Sequence, residues 1–142
     1  MLYSVTVKML NLTLSPIGYV RSSLSSRASA PKQPHEGAPS AHLDILPAFA
    51  EAVEGIQPGN EIWILTWLHQ ANRSTLKVHP RSDPQNPLTG VFATRSPDRP
   101  NPIGLHRATV LAVAAGNLEV QNLEAIDGTP ILDIKPVIDS VR

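Results

Sequence analysis

Glu61-Ile62-Trp63-Ile64-Leu65-Thr66-Trp67-Leu68 is the run that decides the fold. β-Branched and aromatic residues dominate it, both of its faces are apolar, and Pro58-Gly59-Asn60 turns the chain into it. It therefore reads as a buried central strand. Further strands are expected on either side. Ile103 to Ala114 and Leu118 to Leu123 flank Ala115-Gly116-Asn117, a hairpin signal. Asp127-Gly128 is a second tight turn and leads into Ile131 to Ile134. Ser74 to Val78 and Gly90 to Thr94 are shorter candidates.

Upstream, Leu10 to Arg21 carries Leu12, Leu14, Ile17 and Val20 as a strand pattern, with a bend at Pro16-Ile17-Gly18. Ser22 to Ala41 is poor in large apolar residues and rich in Ser, Pro, Ala and Gly, so it reads as a long loop. A helix is expected over Asp44 to Glu54. Asp44 would cap it, Pro47 sits in its first turn, Ile45, Leu46, Phe49 and Val53 keep helical spacing, and Gly55 can stop it. Six or seven strands with one short helix give a mainly β fold, a small single-domain β-barrel or strongly bent sheet.

Composition narrows the function. A chain of 142 residues has room for one domain with a core. Twelve basic residues balance twelve acidic ones, so no global charge announces a nucleic acid or a membrane. The chain has no cysteine, which excludes disulfides, thiolate metal sites and cysteine nucleophiles. The five histidines, His35, His42, His69, His79 and His106, form no close pair with ligand spacing, so no metal is expected. No apolar run approaches the roughly 20 residues that span a bilayer, and the start lacks a signal-peptide pattern. The protein reads as cytoplasmic. Glycine-rich Rossmann and P-loop patterns and a nucleophile elbow are also missing.

Chemistry concentrates between Asp83 and Leu105. Pro84, Pro87, Pro97, Pro100 and Pro102 stiffen this stretch, and Arg95, Arg99, Asn86 and Asn101 lie between them. Such a frame presents side chains with little entropy left to lose, and its arginines suit a carboxylate, a phosphate or a base plane. A rigid crossover whose arginines meet surface acids would have the same composition. Between residues 73 and 107, Arg73, Lys77, Arg81, Arg95, Arg99 and Arg107 face only Asp83 and Asp98, a net charge of +4. A phosphate backbone would need a local basic face of this kind. His69-Gln70 follows the central strand, where polar residues either line a ligand site or satisfy the sheet edge. Glu124 and Asp127 precede a tight turn, as ligand groups or as ordinary turn acids.

Several segments together resemble the TsaA-like family, the tRNA N6-methyltransferases called TrmO. They are Ile17-Gly-Tyr-Val-Arg-Ser22, Pro31-Lys-Gln33, Ile62-Trp-Ile-Leu65 with His69-Gln70, the block Gly90-Val-Phe-Ala-Thr-Arg-Ser-Pro-Asp-Arg-Pro-Asn-Pro-Ile-Gly104, and Asp127-Gly-Thr-Pro-Ile-Leu-Asp-Ile-Lys-Pro136. They occur in the family's order and cover most of the chain from Leu14 onward.

The resemblance implies a non-Rossmann β-barrel that binds S-adenosylmethionine, a homodimer with the site near the subunit interface, and methylation of N6 of threonylcarbamoyladenosine beside the anticodon of tRNA. It implies cofactor contacts at Pro31, Lys32, Gln33, Pro34, His69, Gln70, Arg95, Leu105, Asn122, Leu123 and Glu124. Arg95, Arg99 and Asn101 would hold substrate, and His69 and Asp127 are the candidate bases. Some bacterial members continue into a further C-terminal domain, and this chain reads as a short form. The family's usual arginine in the Pro31-Lys32-Gln33 motif is lysine here, which keeps the charge but not the donor fork. The tyrosine usual after Lys-Pro is Val137. A cofactor-binding dimer that signals without catalysis is the competing reading. A cofactor-free RNA-binding barrel is a third, and it would require exposed aromatics for stacking.

Overall fold

The computed structural model describes residues 12–25 and 40–138. Six strands close into an antiparallel barrel: β1 (Gly18–Arg21), β2 (Ala41–Ile45), β3 (Glu61–Trp67), β6 (Ile103–Ala114), β7 (Asn117–Gln121) and β8 (Pro130–Pro136). Their order around the barrel is β1-β2-β7-β6-β3-β8, and β8 pairs back to β1. Closure leaves the barrel itself without an open edge among the described residues. Two short strands, β4 (Lys77–Val78) and β5 (Thr89–Gly90), form a separate ladder in the long connection between β3 and β6.

The central run forms β3 as expected, paired with β6 on one side and β8 on the other. Its two apolar faces have different causes. Ile62, Ile64 and Thr66 point into the barrel and are buried, while Trp63, Leu65 and Trp67 face outward and are half-buried. Two guanidinium groups cover the outer rings: Arg107 lies 5.8 Å from the Trp63 centroid and Arg73 lies 5.1 Å from that of Trp67. The tryptophans are therefore wall, not core. Val20, Leu43, Ile64, Val110, Leu118, Val120, Leu123 and Ile131 fill the interior.

The hairpin of β6 and β7 turns at Ala115-Gly116, as its sequence signal indicates. The second tight turn also forms: Thr129 N donates to Ile126 O at 3.1 Å, and Gly128 takes the positive φ of 83° that this turn requires.

Elsewhere the boundaries differ. The strand expected from Leu10 begins at Gly18; Pro16 has no N–H for a ladder. A side chain at Gly18 would also place its Cβ 2.2 Å from the Asp44 carbonyl oxygen. Leu10 lies outside the described residues. The loop expected through Ala41 gives way to strand β2, whose alternation Ala41, Leu43, Ile45 inward and His42, Asp44 outward is visible in the sequence. That strand displaces the start of the helix. Ile45 stays in register with Gly18, and Asp44 forms an ion pair with Arg21 at 3.0 Å instead of capping. The helix runs over Pro47–Val53 as a 3-10 segment without a side-chain cap, and Phe49 and Val53 pack against the core. The strand expected over Ser74 to Val78 shortens to β4. Gly90 to Thr94 is mostly a 3-10 turn at Val91–Ala93.

Candidate functional site

One end of the barrel collects the expected cofactor and substrate residues that the structure describes. Because every pairing is antiparallel, β1, β3 and β7 finish at the end where β2, β6 and β8 begin. His69 and Gln70 form the exposed turn that leaves β3, tied to the start of β6 by Leu68 N to Pro102 O at 2.8 Å. Leu105 stands on the outer face of β6 opposite Leu65, and Ile103 stands opposite Trp67. Both are substantially exposed, at 44% and 41%. Asn122, Leu123 and Glu124 follow β7 toward the same end. Asn122 holds a positive φ of 71°, a conformation Asn tolerates better than most residues. Leu123 is fully buried in the core, so its side chain has no access to a ligand and only its backbone can contribute. Pro31, Lys32, Gln33 and Pro34 lie outside the described residues.

The proline-rich loop is braced from within. Arg73 Nε donates to Pro100 O at 2.8 Å and its Nη2 to Asn101 Oδ1 at 3.2 Å, while the guanidinium also rests on Trp67. Asn72 N donates to Asp98 Oδ1 at 2.8 Å. Arg99 Nη2 donates to the carbonyls of Val91 and Thr94 and so holds the 3-10 turn, while its buried Nε has no partner among the described residues. The six cations counted in the sequence thus divide. Arg73, Arg99 and Arg107 make internal contacts, Arg107 with Glu61 at 2.7 Å. Lys77, Arg81 and Arg95 are exposed, and none of the three makes an ion pair among the described residues. Of the two arginines expected to hold substrate, Arg95 is the one whose guanidinium faces solvent. Arg99 and Asn101 nevertheless line an open recess of about 300 Å³ together with Phe92, Pro100 and Ile103.

Asp127 belongs to the same barrel end but has structural partners. Its Oδ1 accepts from Ser22 N at 3.0 Å, and its own N–H donates to Leu24 O at 2.7 Å. Among the described residues no group of three or more His, Asp or Glu could hold a metal ion. No helix among them is long and apolar enough to cross a membrane.

Sequence reasoning missed the polar core beneath this end. Thr66 is fully buried, and its Oγ1 lies 2.8 Å from His106 Nε2. Burial pushes the His106 imidazole down to about 4, so the ring is neutral near pH 7. Gly104 makes the room: a Cβ there would lie 2.4 Å from Thr66 Oγ1, 2.7 Å from His106 Nε2 and 3.1 Å from Leu68 Cδ2. The available signal was parity, since Gly104, His106, Ala108 and Val110 alternate inward along β6. Phe92 is one of the few aromatics the sequence leaves outside the central strand, and it is exposed at 84%.

Comparison with known proteins agrees with this architecture. The family described as the tRNA-methyltransferase O N-terminal domain matches residues 19–141. An "S-adenosyl-L-methionine-binding protein" of Archaeoglobus fulgidus is 38% identical over 134 residues, covering 92% of this chain and 95% of that one. A "Probable S-adenosyl-L-methionine-binding protein" of Methanothermobacter thermautotrophicus is 37% identical over 132 residues, covering 93% and 94%. The crystal structure of TrmO from Pseudomonas aeruginosa superposes with a TM-score of 0.71 at 36% identity, covering 91% of this chain and 57% of that longer one. This chain belongs to the tRNA-methyltransferase O N-terminal domain family.

Proposed function

We propose that the chain is an S-adenosylmethionine-dependent methyltransferase that modifies N6 of threonylcarbamoyladenosine beside the anticodon of tRNA, and that it works as a homodimer in the cytoplasm. One observation carries the reading: His69, Gln70, Arg95, Arg99, Asn101, Leu105 and the segment from Asn122 to Asp127 belong to one end of one barrel.

The groups there fit the cofactor's chemistry. Arg95 offers an unpaired guanidinium for a carboxylate, and Leu105 and Ile103 offer apolar surface for an adenosyl face. The turn His69-Gln70 adds polar contacts on an element fixed by β3. The cofactor supplies an electrophilic methyl group on a sulfonium. The protein's task is then alignment, because an in-line displacement is accelerated chiefly by holding donor and acceptor in reacting geometry. A braced, proline-rich loop suits that task. The acceptor nitrogen is urea-like and its proton comparatively acidic, so a weak base suffices. We assign that role to His69, which is exposed at the site, over Asp127, whose carboxylate already accepts from Ser22 N.

The dimer would form through the outer face of β3 and β6, where Leu65 pairs with the exposed Leu105. That places Leu105 at both the interface and the cofactor. A non-catalytic cofactor-binding regulator is the second reading, favoured by the two archaeal relatives that match nearly end to end and are named for binding alone.

Calorimetric titration with S-adenosylmethionine, followed by mass spectrometry of tRNA nucleosides after incubation, separates these readings. Saturable heat and a methylated threonylcarbamoyladenosine are expected. Binding without a methylated nucleoside would leave the regulator, and no heat would overturn both. Sedimentation of a Leu105→Glu variant as a monomer would support the interface.

A further inference from the structure

We propose that Phe92 is a stacking platform for an unpaired nucleobase of the RNA substrate, with Arg99 and Asn101 framing the recess beneath it. This rests on the reading of the chain as an RNA methyltransferase and adds to it a residue that grips the RNA. Phe92 is 84% exposed, although it lies in a turn that has no freedom to bury it. Val91, its predecessor, is buried, and Arg99 fixes the carbonyls of Val91 and Thr94 on either side. The ring is therefore held outward by a rigid frame, and a stacking partner would cost it little ordering entropy.

Its surroundings select the partner. The recess of about 300 Å³ opens against Phe92, Arg99, Pro100, Asn101 and Ile103, at the lower bound of small-ligand sites. Lys77 pairs with Gly90 across the β4–β5 ladder, two positions from Phe92, and Arg95 leaves the turn on the other side. With Arg81, these exposed cations have no ion-pair partner among the described residues. An exposed ring on a turn flanked along the chain by free cations suits an unstacked base with its flanking phosphates. An acidic or purely apolar protein partner would match only half of it. A stacked base here would lie beside Ile103, which lines the recess.

The test uses the full chain with Phe92→Ala and Phe92→Trp, an anticodon stem-loop RNA carrying a fluorescent adenine analogue in its loop, and methyl-transfer assays. Phe92→Ala is expected to raise KM for the RNA on the order of tenfold or more, with S-adenosylmethionine affinity and oligomeric state unchanged. Phe92→Trp should restore KM and the quenching of the analogue. If the wild type binds and methylates the RNA and Phe92→Ala does so equally well, the platform is overturned while the methyltransferase reading stands. A Phe92→Ala variant that loses cofactor affinity or changes its oligomeric state would assign the ring to the cofactor pocket or a protein interface, which also overturns the platform. A wild type that binds no RNA overturns the substrate reading and the platform with it.

Discussion

Replacing Gly104 by alanine should destabilise the barrel severely, and the geometry sets the size of the effect. The added Cβ would lie 2.4 Å from Thr66 Oγ1 and 2.7 Å from His106 Nε2, and those atoms hydrogen-bond to each other at 2.8 Å. Neither can retreat without breaking that bond, because Thr66 is fully buried on β3 and His106 shares the β6 backbone with residue 104. Leu68 Cδ2 at 3.1 Å can yield slightly. Overpacking of this kind costs about 1–3 kcal/mol, and a buried hydrogen bond lost with one partner unsatisfied costs about 1–3 kcal/mol more. The expected loss is therefore about 2–6 kcal/mol, on the order of 10 °C or more in Tm for a chain of this length. Thermal unfolding by circular dichroism measures it directly. A Gly104→Ala protein that melted with the wild type would mean that β6 does not pack residues 104 and 106 against Thr66.

His106 makes the chain sensitive to acid. Its folded-state value is about 4 against 6.5 in the unfolded chain, so only the unfolded form takes up the proton between those values. Stability is complete above pH 6.5 and falls as pH drops to about 4, by roughly 3 kcal/mol from this group. A His106→Gln variant in denaturant titrations should lose that part of the slope; an unchanged pH dependence would refute the buried neutral ring. Asp127→Asn keeps the oxygen that accepts from Ser22 N, so Tm and turnover should both stay near wild type. Lost turnover at unchanged cofactor affinity would restore Asp127 as the base. Arg73→Ala removes two hydrogen bonds to the proline-rich loop and the contact with Trp67, and should cost about 1–2 kcal/mol. It should also raise hydrogen exchange across residues 96–102, and unaltered exchange there would count against the bracing role. Arg107→Ala should lower Tm less than Arg73→Ala, because the Arg107 ion pair with Glu61 is exposed on both sides and screened by solvent.

The sequence was most legible where pattern and pairing agree. The run from Glu61 and the hairpin at Ala115-Gly116 carry their own periodicity and turn residues, and both form nearly as expected. The segment around Asp44 misled because an aspartate before an apolar run is an N-cap signal, while its actual partner, Arg21, lies 23 positions upstream. Only the tertiary pairing of β1 with β2 decides between them. The proline-rich loop reads as stiff from its composition, but composition could not say which arginines brace it and which face solvent. Arg73 and Arg99 donate to carbonyls of the loop itself, and Arg95 does not. The outward-facing tryptophan wall was likewise hidden, because the cations that cover it come from distant strands and loops.

Hydrogen exchange with and without S-adenosylmethionine tests the central claim most directly. A second cleft, of about 670 Å³, lies among Ala52 to Ile62, Ile134, Pro136 and Val137, at the far end where β3 begins and β8 finishes. The two ends can therefore be told apart along the chain. Cofactor should slow exchange at residues 68–71, 94–105 and 122–128 and leave residues 54–62 and 134–137 unchanged. Protection confined to the far cleft would contradict the account.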